Sequence, residues 1–329
     1  LCVTATAGIA LSGSLVTFFI FYELLTLATW PLVVHKGDEK SLAAGRLYLG
    51  YTLAGSAALL VAIVWLESAT GPVTFAGGNI LDNPDAPSDA TLRILFVLFV
   101  AGLGVKAAIV PFHAWLPSAM VAPAPVSALL HAVAVVKAGA FGIVRVIHDV
   151  YGFAGVVELG LSIPLALVAS VTIVYGSLMA LRQTNLKRRL AYSTVSQVSY
   201  IVLGAALATP LAAVGGLVHI VHQGLMKVTL FFCAGAFAET ARAEEIAELD
   251  GLGRRMPLVS VAFSVAALGM IGIPPVAGFV TKWYLGVGGL QAGAPWVLAV
   301  LATSALLNAA YFLPILYRAW FRDPSEALM

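Results

Sequence analysis

The stretch VKAAIVPFHAWLPSAMVAPAPVSALLHAVAVVK, residues 105–137, decides the fold of this chain. It is almost wholly apolar, yet it contains two lysines and two histidines and is interrupted by four prolines. A lysine in hydrocarbon costs about 2.5 to 3.5 kcal/mol on insertion scales, and a proline removes a backbone donor and breaks a helix. Broken helix at membrane depth is tolerated only where the freed backbone is buried in protein or faces water. Buried cations beside a broken helix therefore predict an ion path, with the rest of the chain as its walls.

Composition places the whole chain in a membrane. Of its 329 residues 60% are hydrophobic and 10% are charged, whereas a soluble globular chain has about 25% charged residues. Uncharged runs of roughly 20 residues recur, and each is long enough to cross a bilayer as a helix. The net charge of +2 does not suggest nucleic acid as a partner. Cys2 and Cys233 are far apart in apolar runs, so they form neither a metal motif nor a disulfide framework.

The order of apolar and polar segments predicts an all-α integral membrane protein with about ten transmembrane helices. Gly/Pro/Asp-rich or charged loops separate the apolar segments. The segments are a partial helix ending near residue 11, spans at about 14–34, 41–66, 92–110, 126–147, 159–181, 190–207 and 211–238, a ninth span interrupted at Pro274-Pro275, and a last span at about 295–320.

The positive charges of the loops test this interpretation. Because successive spans alternate direction, loops alternate sides, and two basic residues, Arg93 and Arg145, fall on one side. The other side collects twelve: Lys36, Lys40, Arg46, Arg182, Lys187, Arg188, Arg189, Arg242, Arg254, Arg255, Arg318 and Arg322. The positive-inside rule predicts that this richer side faces the cytoplasm.

Two halves of the chain resemble each other in one respect. The fourth and ninth segments each contain a lysine and break at proline, and interrupted spans at matching positions of two halves indicate a repeat-built transporter. An odd number of spans per half makes the repeats inverted. We therefore predict two inverted five-helix repeats, residues 1–150 and 151–329, each with a discontinuous helix.

Eight ionisable residues inside or beside the predicted spans are the candidate site. Each has a simpler explanation: a buried histidine is often a satisfied core residue, and a lysine near a span end, such as Lys282, can extend to the interface. Lys106 and Lys227 have apolar neighbours on both sides for more than a turn, which disfavours that explanation. The predicted proton-relay residues are Glu23, Lys106, His131, Lys137, His219, His222, Lys227 and Lys282.

The spacing of these residues suggests how they act. His219, Gln223 and Lys227 recur every four residues and share one helix face, with His222 at its border. Polar groups about 6 Å apart along a helix suit proton transfer through short water bridges. Glu23 is the only acid within a predicted span. A carboxylate near a lysine favours its charged form, so a Glu23–Lys106 pair whose separation changes would switch the lysine's affinity for a proton.

At this point a known family is recognisable. The motifs KAAIVPFHAWLPSAM, APAPVSALLHA, RQTNLKRRLAYSTVSQ and HIVHQGLMKVTLFFCAGA resemble antiporter-like membrane subunits. Such subunits occur in Mrp-type cation/proton antiporters, in respiratory complex I and in membrane-bound hydrogenases. The likeness runs from about residue 15 to residue 320. It implies a core of two inverted five-helix repeats, and we expect that flanking helices of the full subunit are missing from this chain.

The resemblance also implies roles for single residues. The family's helix glutamate matches Glu23, in FYELL, and the lysine of its first broken-helix repeat matches Lys106. The histidine closing the VSALLH motif matches His131, and some members have a lysine at the position of Lys137.

In the second half the matches continue with one departure. The family's second lysine matches Lys227, with His219 before it, and the terminal lysine or glutamate of the second broken helix matches Lys282. Many members have histidine four residues before the second lysine, where this chain has Gln223. Glutamine cannot carry a proton charge, so we expect His222 or water to act there instead.

The leading hypothesis is proton translocation by a subunit of a larger antiporter or redox-driven complex in a bacterial or archaeal cytoplasmic membrane. The resemblance implies that the chain is not catalytic alone and that its partners are other membrane subunits of a larger complex. An NADH:quinone oxidoreductase or hydrogenase-type translocase is one such complex. The sequence implies no cofactor and no metal. Three alternatives stay open: a subunit that carries Na+ in exchange for H+, a haem-binding subunit ligated by His131 and His219, and a structural spacer.

Overall fold

The computed structural model describes residues 1–323, and the regular structure in that range is helical, with two isolated β-bridges. The α-helices in chain order are α1 (Cys2–Leu11), α2 (Leu15–Val33), α3 (Glu39–Thr70), α4 (Asp89–Lys106), α5 (Trp115–Ser118), α6 (Ala124–Ala128), α7 (Val135–Arg145), α8 (Gly152–Glu158), α9 (Ser162–Leu181), α10 (Leu186–Ala206), α11 (Pro210–Ala241), α12 (Leu252–Arg255), α13 (Pro257–Ile271), α14 (Ala277–Gln291) and α15 (Trp296–Phe321). Single 3₁₀ turns lie at Ile80–Asp82, Ala119–Val121 and Ile246–Leu249.

Four helices begin where a polar side chain can accept the first free backbone N–H groups. The caps are Ser14 before α2, Asp38 before α3, Ser88 before α4 and Asn185 before α10, and each accepts from the N–H three residues later. The Asp38 bond to the Ser41 N–H is 2.7 Å long, and this bond lowers the pKa of the Asp38 carboxyl. The polar loops of the sequence thus set the helix starts.

Six helices of the described chain are long and apolar enough to cross a membrane. They are Leu15–Val33, Glu39–Thr70, Ala124–Glu158, Ser162–Leu181, Pro210–Ala241 and Trp296–Phe321. Large apolar side chains cover their outer faces; Ile20, Val61, Val171 and Leu306 are each more than half exposed. Such a surface is stable against lipid and not against water. The predicted all-helical integral membrane class is confirmed.

Two helices are broken where the sequence predicted. Helix α4 ends at Lys106 and α5 starts at Trp115, while α13 ends at Ile271 and α14 starts at Ala277. The predicted span to residue 110 was four residues too long, because a proline disfavours helical conformation in the residue before it and donates no backbone hydrogen bond.

The predicted fifth span, 126–147, was too short. Helices α6, α7 and α8 join through π-helical turns at Leu129–Val133 and Val146–Tyr151 into one segment, Ala124–Glu158. This segment continues across residue 150, where the sequence placed the boundary between repeats. A π turn widens the helix by one residue and often occurs at functional positions; the first contains His131.

The helices with candidate residues are neighbours. Helix α4 packs on α3 and α7, α7 on α10, α10 on α11, and α11 on α13 and α14. Two glycines allow the closest approaches. A Cβ on Gly139 of α7 would lie 2.3 Å from the Ala107 nitrogen, and one on Gly278 of α14 would lie 1.9 Å from the Gly269 oxygen. Both breaks are therefore packed directly against a glycine.

Candidate functional site

The first group of the site forms around Lys106, the last residue of α4. Its side chain is fully buried, and its ammonium donates to the Tyr22 carbonyl and lies 3.2 Å from the centre of the Tyr22 ring. The Glu23 Oε1 atom is 3.6 Å from the Lys106 Nζ atom and accepts a hydrogen bond from the Ser56 hydroxyl of α3. The predicted Glu23–Lys106 pair is therefore present in the structure.

The second group forms around Lys227, on α11. Its fully buried ammonium donates to the Leu190 carbonyl and to the Ser193 hydroxyl oxygen, each at 2.9 Å. Both acceptors lie in the first two turns of α10. Among the described residues no acid pairs with this lysine, so a carbonyl and a hydroxyl replace the countercharge that Lys106 has.

A chain of polar side chains continues from Lys227 towards the second broken helix. The Tyr311 hydroxyl, on α15, lies 2.9 Å from the Ser193 hydroxyl oxygen and 2.6 Å from the Asn308 Oδ1 atom. The Asn308 amide then donates to the Met270 carbonyl at 3.1 Å, in the last turn of α13. Ser193, Asn308 and Tyr311 are buried.

The third group lies at that break. The Lys282 ammonium, from α14, donates to the Ile271 carbonyl at the end of α13. That carbonyl adjoins the Met270 carbonyl, so the polar chain connects Lys227 with Lys282 through side chains and two neighbouring peptide groups. The side chain of Lys282 is thus turned towards the broken helix.

Two histidines of α11 meet one threonine of α14 beside Lys282. The Nδ1 atoms of His219 and His222 lie 3.2 and 3.3 Å from the Thr281 Oγ1 atom. The His219 ring packs against Tyr200 of α10, with 5.2 Å between ring centres. His219 and Thr281 are buried, while His222 is half-buried.

The fourth group contains polar atoms that have no protein partner. The Lys137 ammonium, both ring nitrogens of His131 and both amide atoms of Gln223 are buried without a hydrogen bond to any described residue. The His131 ring packs on Phe231 of α11, with 4.9 Å between centres. Buried polar groups are nearly always hydrogen-bonded to protein or ordered water, and such groups in a polar site are suitable partners for internal water.

Several residues of these groups were missed by the sequence analysis. Ser193, Thr281, Asn308 and Tyr311 are neutral, and a hydroxyl or amide in a helix ordinarily bonds its own backbone. One signal was available: Asn308 and Tyr311 lie three residues apart, with Ser304 one turn earlier, which forms a polar stripe on an otherwise apolar helix.

The sequence placed one acid, Glu23, within a predicted span. The structure adds two, because Glu67 lies in α3 and Asp149 lies in the second π turn. Asp149 is buried and pairs with Arg145 at 2.7 Å, and its other oxygen is 2.9 Å from the His148 Nδ1 atom. The helix runs past residue 147, where the sequence placed its end, and so includes this cluster.

The described residues contain no group of three or more His, Cys, Asp or Glu side chains arranged to bind a metal ion. The titratable groups of the site instead occur singly or in pairs, connected by hydroxyls, amides and peptide carbonyls. The hydroxyls can pass a proton on, because each both accepts and donates a hydrogen bond, whereas the carbonyls and the amide can only hold a lysine or a water molecule beside them.

Comparison with known proteins agrees with this geometry. A subunit of the NADH-quinone oxidoreductase of Desulforudis audaxviator is 39% identical over 316 residues, which cover 96% of this chain and 62% of that protein. A subunit of the Na(+)/H(+) antiporter of Bacillus subtilis is 28% identical over 97% of this chain and 64% of its own length. In the Mrp complex of Dietzia sp. DQ12-45-1b, one chain superposes with a TM-score of 0.86 and 28% identity, covering 99% of this chain and 60% of that one.

The chain spans less than two thirds of the length of each of these three proteins. The sequence profile of the family described as "NADH:quinone oxidoreductase/Mrp antiporter, TM" matches residues 12–308, nearly the whole chain. The resemblance inferred from the motifs is confirmed, and this chain belongs to the NADH:quinone oxidoreductase/Mrp antiporter transmembrane family.

Proposed function

We propose that this chain is the proton-conducting core of an antiporter-like subunit within a larger membrane complex. The observation that carries the proposal is the polar chain from Lys227 through Ser193, Tyr311 and Asn308 to the broken helix that binds Lys282. Burying such groups is costly unless they are paired or serve a purpose. Proton transfer between neighbouring polar groups is a function that requires this arrangement.

We further infer that the chain has ten membrane segments in two inverted five-helix repeats, residues 1–150 and 151–329. Four further segments bring the six apolar spans to ten: the short helix α1, the helices α4 and α10, each with three charged residues, and the second broken span. Helices α13 and α14, with 15 residues each, form the second broken span. A lysine ammonium at each of the two breaks supports the correspondence between the halves.

In the proposed pathway Lys106 is the lysine whose affinity for a proton is switched. Glu23 stabilises the charged form of Lys106 at 3.6 Å, so separating the two groups would release a proton. His131 or Lys137 passes the charge between the halves, since both lie on the segment that packs against α10 and α11. Lys227, the histidines and Lys282 then carry it to the opposite side. Ordered water joins Lys137, Gln223 and His131, whose polar atoms have no partner in the described chain.

The partners and the energy source follow from the relatives. Their names describe subunits of an NADH-quinone oxidoreductase and of an Na(+)/H(+) antiporter. We propose that this chain likewise works with other membrane subunits, and that a partner supplies the energy from a redox reaction or from an ion gradient.

The second candidate is a subunit that carries Na+ itself, which the similarity to the Bacillus subtilis antiporter protein favours. Na+ needs several oxygen ligands, and the Glu23 carboxylate with the Ser56 hydroxyl offers two from neighbouring helices, one of them anionic. Transport by the assembled complex in liposomes, with Na+ replaced by choline, separates the two candidates. Unchanged proton movement supports the proton pathway, and proton movement that stops without Na+ contradicts it.

The proton pathway itself is tested by replacing its central lysine. We expect Lys227→Ala to abolish proton transport by the reconstituted complex while the complex still assembles. The matched control is Leu225→Ala on the same helix, because Leu225 is 67% exposed on the outer face and should tolerate the change. Transport that continues at the wild-type rate in Lys227→Ala would exclude the pathway.

A further inference from the structure

Thr281 occupies an unusual position among the threonines of this chain. It lies one turn into α14 and is fully buried, and its Oγ1 atom is 3.2 Å from the His219 Nδ1 atom and 3.3 Å from the His222 Nδ1 atom. Both histidines belong to α11, so one hydroxyl of α14 connects two titratable rings of the neighbouring helix.

Most helical threonines use their hydroxyl within their own helix, by donating to the carbonyl four residues earlier. Eight threonines of this chain do so: Thr6, Thr26, Thr29, Thr52, Thr70, Thr172, Thr194 and Thr229. The Thr281 hydroxyl instead contacts two imidazole nitrogens. The Thr281 hydroxyl therefore connects α14 with α11.

Counting hydrogen atoms restricts the protonation of the two rings. A hydroxyl has one hydrogen to donate and two lone pairs that accept. If Thr281 donates to one Nδ1 atom, that nitrogen must be unprotonated, and the Nδ1 atom of the other ring must bear the hydrogen that Thr281 accepts. In that arrangement, with both rings neutral, His219 and His222 are opposite tautomers. A hydroxyl that accepted from both Nδ1–H groups would leave the rings as the same tautomer and would pass no proton between them.

We propose that the Thr281 hydroxyl passes a proton between His222 and His219. When His222 is doubly protonated, its Nδ1–H bond breaks as a new O–H bond forms on Thr281. At the same time the original hydroxyl hydrogen leaves the oxygen and forms an N–H bond at Nδ1 of His219. One proton and one positive charge move from one ring to the other, and the hydroxyl ends with one hydrogen, as it began.

The step has a direction in the fold. His222 is half-buried, whereas His219 is 2% exposed and its Nε2 atom is buried without a protein partner. Once His219 has accepted a proton at Nδ1, it can release one from Nε2 into the interior. For the next transfer His219 returns to the tautomer with its hydrogen on Nε2, by a ring flip or by exchange with water, and the Thr281 hydroxyl rotates back towards the His219 Nδ1 atom. The proton thus bypasses Gln223, which has no titratable group.

The proposal deepens the proposed function and rests on it. The matched variants are Thr281→Val, which keeps the shape and removes the hydroxyl, and Thr281→Ser, which keeps the hydroxyl. In the assembled complex reconstituted into liposomes, we expect Thr281→Val to slow proton transport by about tenfold or more, on the scale at which proton-transfer partners act. Thr281→Ser should restore transport to within about twofold of wild type, which a purely space-filling role would not predict.

A second measurement tests the hydrogen bonds of the Thr281 hydroxyl through the tautomers of the two histidines. The ¹⁵N chemical shifts of the imidazole nitrogens distinguish the two tautomers of a histidine. We expect His219 and His222 to be opposite tautomers in the wild-type complex and to lose this relation in Thr281→Val. Identical tautomers in the wild type would overturn the proposal, and this spectrum decides the matter even where Thr281→Val fails to assemble.

Lys227→Ala, measured alongside, separates the threonine step from the proton pathway as a whole. If Lys227→Ala stops transport and Thr281→Val transports normally, the threonine step is wrong and the proton pathway stands. If Lys227→Ala transports normally, the proposed function is wrong. The proposal is supported when both variants lose transport and Thr281→Ser retains it.

Discussion

At the scale of single residues, the two halves of the chain stabilise a buried lysine by different means. Lys106 has a carboxylate at 3.6 Å and an aromatic ring at 3.2 Å, whereas Lys227 has a carbonyl and a hydroxyl, each at 2.9 Å. A charged partner holds a proton on the lysine more firmly than a neutral one. The Lys106 site is therefore suited to a switch, and the Lys227 site to conduction.

Replacing the Glu23 carboxylate by an amide tests whether its negative charge or its hydrogen bond to Ser56 is the important property. In Glu23→Gln the amide oxygen still accepts from Ser56, but the negative charge beside Lys106 is gone. We expect the assembled complex to form and its proton transport to fall by about tenfold, since loss of a countercharge beside a buried lysine is worth about 1.4 kcal/mol or more. The rate of vesicle acidification measures it.

The control for this variant is Glu158→Gln, because Glu158 is exposed at the end of α8. That change should leave transport unaltered. Equal rates in Glu23→Gln and wild type would show that the Glu23–Lys106 pair does not act as a switch.

The sequence revealed the titratable residues of the site but not the neutral ones between them. Lys106 and Lys227 stand out because charges are costly in apolar helices. Thr281 and Ser193 do not, because hydroxyls in helices usually bond their own backbone, and their role depends on a neighbouring helix that the sequence does not position. Gln223 was noted as a departure from the family, and the path around it required the contacts of His219 and His222.

At the scale of helices, the breaks depend on close packing as much as on proline. The prolines indicated where α4 and α13 end. For α4 the predicted end lies four residues beyond the observed one. The π turns of the segment Ala124–Glu158 were not predictable, because an apolar run has the same composition whether its turns are α or π. The segment packs on α4 and α10 through α7, and the sequence does not position these neighbours.

The second break offers a test of this packing. A methyl group at Gly278 would lie 1.9 Å from the Gly269 oxygen, so α14 would have to move away from α13. We expect Gly278→Ala to destabilise the protein by about 1 to 3 kcal/mol, the range for overpacked sites. Thermal unfolding of the purified complex in detergent measures the change.

Gly50→Ala is the matched control, since no atom lies within 4 Å of its added methyl group. Alanine is the better helix former by about 1 kcal/mol, so this variant should be at least as stable as wild type. A Gly278→Ala protein with the same melting temperature as Gly50→Ala would show that the break is not tightly packed.

At the scale of the whole molecule, the charged loops predict which side faces the cytoplasm. Lys40 lies in the polar segment at the start of α3, on the side that collects twelve basic residues, and Asp85 lies in the loop before α4, on the other side. This asymmetry is a property of the sequence alone and is expected to set the orientation.

Cysteine labelling in intact cells tests that orientation. In a variant without Cys2 and Cys233, we expect Asp85→Cys to react with a membrane-impermeant maleimide and Lys40→Cys to react only after the cells are opened. Both positions are exposed, so access and not burial decides the result. The reverse pattern would mean that the chain is inserted in the opposite direction.

The central claim is that protons pass between Lys227 and Lys282 beside the polar chain, with water making the steps at the Asn308 amide and the two carbonyls, which cannot themselves pass a proton on. Its most direct test is Tyr311→Phe, which removes one oxygen between Ser193 and Asn308, compared with Tyr317→Phe, whose side chain is 55% exposed on the same helix. We expect Tyr311→Phe to assemble, to lose about 1 kcal/mol of stability, and to slow proton transport by the reconstituted complex far below that of Tyr317→Phe. Equal transport rates in the two variants would contradict the account.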